Sequence, residues 1–233
     1  MTMQPDAAEI QQLFDRIAPL YDRLNDSLSF GTHRIWKQMA VNWSGAKTGD
    51  RVVDVCCGSG DIALLLAEVV GKTGTVVGID FSAVQLDVAR RRSHQQLRPV
   101  DWVQGDALNL PFEENTFDAA TMSYGLRNLT DIPQGLGELY RILKPGAAVA
   151  ILDMHRPQSA GMRAFQQWYL NTLVVPTAQR FRLKEEYAYI APSLDRFPSG
   201  RQQVQLAQST GFERVVHYPL MGGMMGVLVA HKP

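Results

Sequence analysis

Arg51-Val52-Val53-Asp54-Val55-Cys56-Cys57-Gly58-Ser59-Gly60-Asp61-Ile62 runs from a β-branched stretch, through two closely spaced glycines, into an apolar segment of helical character. A strand that ends in a glycine loop and continues as a helix is the opening unit of a doubly wound α/β sheet. Gly58 and Gly60 allow a tight turn and let the backbone approach a ligand with no Cβ in the way. Further strand-like runs follow: TVVGID (75–80), VDWVQGD (100–106), FDAATMSYG (117–125) and AAVAILDM (147–154). Between them DIALLLAEVV, SAVQLDVARRR and DIPQGLGELYRIL carry apolar residues three and four apart, which predicts crossover helices between parallel strands. Lys144-Pro145-Gly146 is expected to stop the last of these before the fifth strand.

Beyond Pro157 a long helix is predicted over MRAFQQWYLNTLVV, followed by the aromatic and charged stretch RFRLKEEYAYIAPSLDRFP. The chain closes with a short helix from Gly200 to Thr210 and two runs, FERVVHYPL and MGVLVAHK, spaced as an antiparallel hairpin on the sheet edge. The fold expected is α/β, an open and mostly parallel sheet of seven strands with an antiparallel C-terminal strand. A single domain is expected: a helical cap (1–45), a core (46–154), an insertion over the strand ends (155–198) and a closing helix and hairpin (199–233).

Bulk properties narrow the function. With 233 residues, 45% hydrophobic, and 23 basic against 23 acidic side chains, the chain has one sizeable core and no basic excess for nucleic acid. No run of ~18 apolar residues spans a membrane, and the first residues lack the basic-then-apolar pattern of a secretory signal. Cys56 and Cys57 are sequence neighbours, read as reduced packing thiols of a cytosolic protein rather than metal ligands.

The strand ends carry the cofactor signal. Asp80 closes the second run ~20 residues past the glycine loop, where a carboxylate accepts ribose hydroxyls. Gly58, Gly60 and Ala63 also satisfy a loose dinucleotide pattern. Two features oppose that reading. Asp54 lies inside the strand, in reach of an amino group, and Asp61 places a negative charge where a pyrophosphate would lie, which suits a cationic sulfonium instead. Asp106-Ala107 after the third run pairs a carboxylate for an adenine amino group with a small residue that lets the ring lie flat. Together these resemble the class I methyltransferase signature, which implies S-adenosylmethionine as donor and S-adenosylhomocysteine as product. Cofactor contacts are expected at Asp54, Gly58, Ser59, Gly60, Asp80, Phe81, Asp106, Ala107 and Ser123.

Tyr21-Asp22-Arg23-Leu24-Asn25-Asp26, Ser29-Phe30-Gly31-Thr32-His33-Arg34-Ile35-Trp36-Lys37 and Gly125-Leu126-Arg127-Asn128-Leu129-Thr130-Asp131 resemble the UbiE/MenG family of prenylquinone C-methyltransferases. Cys56-Cys57-Gly58-Ser59-Gly60, Met154-His155-Arg156-Pro157, the segment 186–198 and Gly222-Gly223-Met224-Met225-Gly226 look like its cyanobacterial and plastid branch; the generic branch carries two glycines in place of Cys56-Cys57. The resemblance implies C-methylation of a demethylated prenyl naphthoquinol on the way to phylloquinone, with menaquinone or ubiquinone precursors as the alternative acceptors. O-methylation of a small phenol, a nicotinamide dehydrogenase and a binding module without turnover are the other readings weighed.

A quinone ring is electrophilic, so the acceptor carbon must belong to the reduced quinol, and an upstream reductase is implied. A phenolic hydroxyl has a pKa of about 10, so its proton needs help to leave. Arg127 is expected to stabilise the developing quinolate, Asn128 and Tyr21 to orient the ring or a water, and His33 or His155 to serve as base. No metal is called for. Trp168-Tyr169-Leu170, Leu173-Val174-Val175 and Met221, Met224 and Met225 suit an apolar tail, and the segment around Trp168 is the expected contact of a cytoplasmic, peripheral protein with a thylakoid or plasma membrane surface. A homodimer is left open.

Overall fold

The computed structural model describes residues 15–16, 31–96, 99–180, 183 and 189–233. Seven strands form one sheet in the order β3-β2-β1-β4-β5-β7-β6. β1 (Arg51–Val55) lies at its centre, paired in parallel with β2 (Thr75–Asp80) on one side and β4 (Phe117–Ser123) on the other. β3 (Asp101–Gln104) extends the β2 side. β5 (Leu143–Met154) extends the β4 side, and the hairpin of β6 (Glu213–Leu220) and β7 (Met225–His231) completes it, with β7 antiparallel to β5. β1, β2 and the middle of β5 read as continuous apolar runs because helices cover both faces of a parallel sheet.

The helices, numbered through the described residues, are α1 (Thr32–Trp43), α2 (Asp61–Val70), α3 (Ala83–Gln96), α4 (Ile132–Ile142), α5 (Ala160–Tyr169), α6 (Val175–Arg180), α7 (Ile190–Arg196) and α8 (Gly200–Ser209). α4 begins cleanly because Asp131 accepts the Gln134 N–H and Pro133 occupies the first turn. α8 begins with a reciprocal capping box between Ser199 and Gln202. The core under the β1–β4–β5 face gathers Val53, Phe117, Met122, Leu136, Leu139 and Ile151. α1 is part of the packing: Ala40 sits with Leu152, Met225 and Val227 on the opposite face.

Two expectations are corrected. Lys144-Pro145-Gly146 does not separate helix from strand: α4 ends at Ile142 and β5 already begins at Leu143, which pairs with Phe117. The register then shifts before Ala119 pairs with Ala148, and Gly146 takes φ 83°, so the Pro-Gly pair forms an irregularity within the strand. The long helix after Pro157 also starts earlier, at Ala160, and runs through a π-helical turn (Leu170–Val174) into α6. The turn brings Leu170 and Val174 inward against Ala178, Leu183 and Leu194.

Candidate active site

The strand order reverses at β1, where the chain passes to β2 and β3 on one side and to β4 and β5 on the other. Ligands bind beyond the carboxyl ends of the strands at such a point. Here the ends of β1, β2 and β4 and the loop after β3 open into one cavity. Asp54, Gly58, Ser59, Asp80, Phe81, Asp106, Ala107 and Ser123 all line it. Gly60 does not. It faces away, and a Cβ there would stand 2.6 Å from the Trp102 ring, so glycine is required by close approach and by its φ of 88°.

Asp80 shapes the loop. Its carboxylate accepts the Gly58 N–H at 2.8 Å and the Ser82 N–H at 2.9 Å, tying the end of β2 to the glycine turn after β1. Burial pushes its pKa up, which the three backbone N–H groups aimed at it only partly offset. Ser82 in turn donates to Asp15, so Asp15 reaches the same loop. Asp106 accepts the Leu108 N–H at 2.9 Å and so holds its own turn. Asp54 is buried in β1 opposite Thr121 of β4, whose hydroxyl donates to it at 2.7 Å. Desolvation raises the Asp54 carboxyl to about 7, against the pull of that hydrogen bond.

Cys56 and Tyr124 follow the ends of the two central strands with φ 57° and φ 59°. Left-handed backbone at non-glycine residues costs roughly 1–3 kcal/mol each and gathers at functional sites. Burial raises both thiols well above their ordinary range, so they are neutral, and both line the cavity. Cys56 packs where Gly125 leaves room: a Cβ on Gly125 would stand 2.7 Å from the Cys56 Cβ.

The charge expected from Asp61 is corrected. Its carboxylate contacts both Lys37 of α1 and Arg92 of α3, so the trio carries net positive charge and repels no phosphate. Burial favours the neutral acid, yet Lys37 and Arg92 hold Asp61 down at about 2. Lys37 itself lines the cavity, a place the sequence reading does not assign to it. The signal is present all the same: His33, Lys37, Ala40 and Val41 share the buried stripe of an amphipathic helix, and a lysine there needs an acidic partner.

The catalytic candidates divide. Asn128 lines the cavity, its amide nitrogen donating to the Tyr124 carbonyl at 2.8 Å. Arg127 does not line it. Its guanidinium is paired at 2.7 Å with Asp153 at the end of β5, the two side chains 8% and 1% exposed, and it also donates to the Tyr124 carbonyl at 2.9 Å. Arg127 borders a second cavity, which shares Asn128, Leu129 and Thr130 with the first. His33 is buried on α1 outside the cavity lining. His155 lies apart as well. Its Nδ1 is 3.0 Å from the Asp153 carbonyl, which fixes that nitrogen as donor, and its Nε2 meets Gln203 at 2.8 Å and His217 at 2.9 Å. Burial lowers its pKa, so the ring is a neutral structural hub. Tyr21 lies outside the described residues.

The chain matches the ubiE/COQ5 methyltransferase family over residues 1–232 and belongs to that family. It is 60% identical over 226 residues to the 2-phytyl-1,4-naphtoquinone methyltransferase of Trichormus variabilis, covering 96% of this chain and 99% of that one. It is 50% identical over 224 residues to the chloroplastic 2-phytyl-1,4-beta-naphthoquinone methyltransferase of Arabidopsis thaliana, covering 94% of this chain and 86% of that one. A solved SAM-dependent methyltransferase from Thermotoga maritima shares the fold, with a TM-score of 0.66 at 21% identity over 95% of this chain and 99% of that one.

Proposed function

We propose that the chain transfers a methyl group from S-adenosylmethionine to a ring carbon of reduced 2-phytyl-1,4-naphthoquinone, in phylloquinone formation, and releases S-adenosylhomocysteine. The observation that carries this reading is the near full-length likeness to methyltransferases of that name, joined to a cavity whose charges suit such a donor. Asp54, Asp80 and Asp106 with Lys37 fit a ligand that holds an ammonium, a sulfonium, a carboxylate and ribose hydroxyls. The donor supplies an electrophilic methyl on a cationic sulfur, chemistry that calls for no metal.

The residues of the chain then position and polarise. Asp80 accepts the ribose hydroxyls, Asp106 beside Ala107 meets the adenine edge, and Asp54 meets the ammonium. Asn128, oriented by its bond to the Tyr124 carbonyl, steers the quinol ring, and Arg127 from the neighbouring wall stabilises the quinolate as the hydroxyl proton leaves. After the carbon takes the methyl it loses its own proton and the oxygen is reprotonated, so one proton is released per turnover. A reductase must supply the quinol. No helix among the described residues is long and apolar enough to cross a membrane. Phe165, Trp168 and Leu173 stand exposed along α5 and the π-helical turn, and serve as a reversible contact with the lipid surface that holds the tailed acceptor.

The test is an anaerobic assay with labelled S-adenosylmethionine, offering dithionite-reduced 2-phytyl-1,4-naphthoquinone beside a reduced prenyl benzoquinone, with products identified by mass spectrometry. Label in the C-methylated naphthoquinol alone is the expected result. Label only in the benzoquinol would overturn the acceptor, and equal rates on oxidised substrate would overturn the quinol requirement.

Asp54 gives the binding step a pH dependence. A cationic ligand beside Asp54 favours its carboxylate, so binding expels a proton whenever the free site is protonated, that is, below about 7. Affinity for S-adenosylhomocysteine is therefore expected to rise with pH, by roughly eightfold between pH 6 and 7.5, and to level off above. Calorimetric titrations of the wild type and Asp54→Asn check it: the variant should lose most of the slope, and an unchanged slope would assign the dependence elsewhere.

A further inference from the structure

We propose that Lys37 is the residue that receives the carboxylate of the donor's amino-acid end, and so selects ligands that carry that end. The inference rests on the donor-site reading above and adds a specific role within it.

Lys37 sits on the buried stripe of α1 at 5% exposure, and it is the one cationic side chain among the described residues that line the cavity. The acidic side chains there are Asp54, Asp61, Asp80 and Asp106, of which Asp61 is already paired with Lys37 and Arg92. A ligand carboxylate entering the cavity therefore finds its cationic partner in Lys37. Asp61 does not consume the lysine. It faces Arg92 as well as Lys37, so two cations surround one anion and the group retains a net positive charge. An ammonium also has three protons to donate, and Asp61 is the single hydrogen-bond acceptor on Lys37 among the described residues.

Arg92 is committed elsewhere, to the Ser59 carbonyl at 2.9 Å and the Ser59 hydroxyl at 3.1 Å. Its part is to hold the glycine loop and to leave Asp61 shared, which keeps Lys37 electropositive. Asp54 lines the same cavity with the opposite sign. A carboxylate site and an ammonium site in one cavity, beside a loop that binds close to backbone, match the zwitterionic head of an amino acid. Lys37 thus joins α1 to the cofactor loop through Asp61 and gives α1 a direct part in ligand choice.

The test compares two ligands that differ only in that head: S-adenosylhomocysteine and 5′-methylthioadenosine, titrated into full-length wild type, Lys37→Met and Lys37→Arg. Lys37→Met is expected to weaken S-adenosylhomocysteine about 30-fold while 5′-methylthioadenosine changes by less than about twofold; Lys37→Arg should recover most of the loss. The unaltered binding of 5′-methylthioadenosine doubles as the proof that the variant is folded. Equal weakening of both ligands would make Lys37 a structural residue and overturn the proposal, as would no weakening of either. Wild-type protein that binds neither ligand would overturn the donor-site reading and the Lys37 role with it.

Discussion

Replacing Arg127 by alanine is expected to destabilise the protein by about 3–5 kcal/mol, because it leaves the buried Asp153 carboxylate with backbone N–H donors alone and no countercharge. Asp153 is fully buried, and Arg127 is its partner through the backbone N–H at 3.0 Å as well as the guanidinium at 2.7 Å. For a chain of this size the loss corresponds to a melting temperature lower by roughly 10 °C. The same substitution removes a donor to the carbonyl of Tyr124, the residue held at φ 59° beside the cavity. Its effect on turnover must therefore be read well below the melting transition. There, kcat is expected to fall about 100-fold, as for loss of an anion-stabilising group, while affinity for S-adenosylhomocysteine stays within about threefold. Scanning fluorimetry and single-turnover methyl transfer separate the two effects. A parallel loss of cofactor affinity would remove Arg127 from the chemistry, and an unchanged melting temperature would show that the buried pair contributes nothing net.

The second large effect belongs to Asp80. If Asp80 accepts the ribose as proposed, Asp80→Ala is expected to weaken S-adenosylhomocysteine about 100-fold, through that lost acceptor and the released N–H groups of Gly58 and Ser82. Stability should fall by only about 1–2 kcal/mol, since burial already makes the charged form of Asp80 costly and removing it recovers part of the desolvation. Calorimetric titration and urea unfolding test the contrast. A variant that unfolds readily yet binds with wild-type affinity would make Asp80 a scaffold residue alone.

Asp80 and Arg127 mark the two sides of what the amino-acid sequence makes legible. Asp54, Asp80 and Asp106 are readable because each lies within or just beyond the last residues of a β-branched run, and the end of such a run marks the carboxyl end of a parallel strand. The hairpin of β6 and β7 is readable for a similar reason: two short runs with glycines between them leave room for nothing but a turn. Partnerships are not readable. Asp61 reads as a bare negative charge because Lys37 lies 24 residues before it and Arg92 31 residues after it. Arg127 reads as an unpaired cation because Asp153 is 26 residues away, on the next strand of the sheet. His155 reads as a base because its neighbours Gln203 and His217, 48 and 62 residues on, come from α8 and β6. Charges on one strand or helix are visible in sequence, whereas their neutralisation is settled only when crossover connections bring distant elements together.

Trp102 lies across Gly78 of β2, where a Cβ would stand 2.4 Å from its ring, and the same ring abuts Gly60 at the end of the cofactor loop. Its indole N–H is buried with no hydrogen-bond partner among the described residues. An indole so placed is expected to emit in the blue, and any change in the packing or hydration of the loop would shift its colour or quantum yield. With Trp36, Trp43 and Trp168 replaced by phenylalanine, the protein would carry a single optical gauge pressed against the loop, able to time its movement in stopped flow with no added dye.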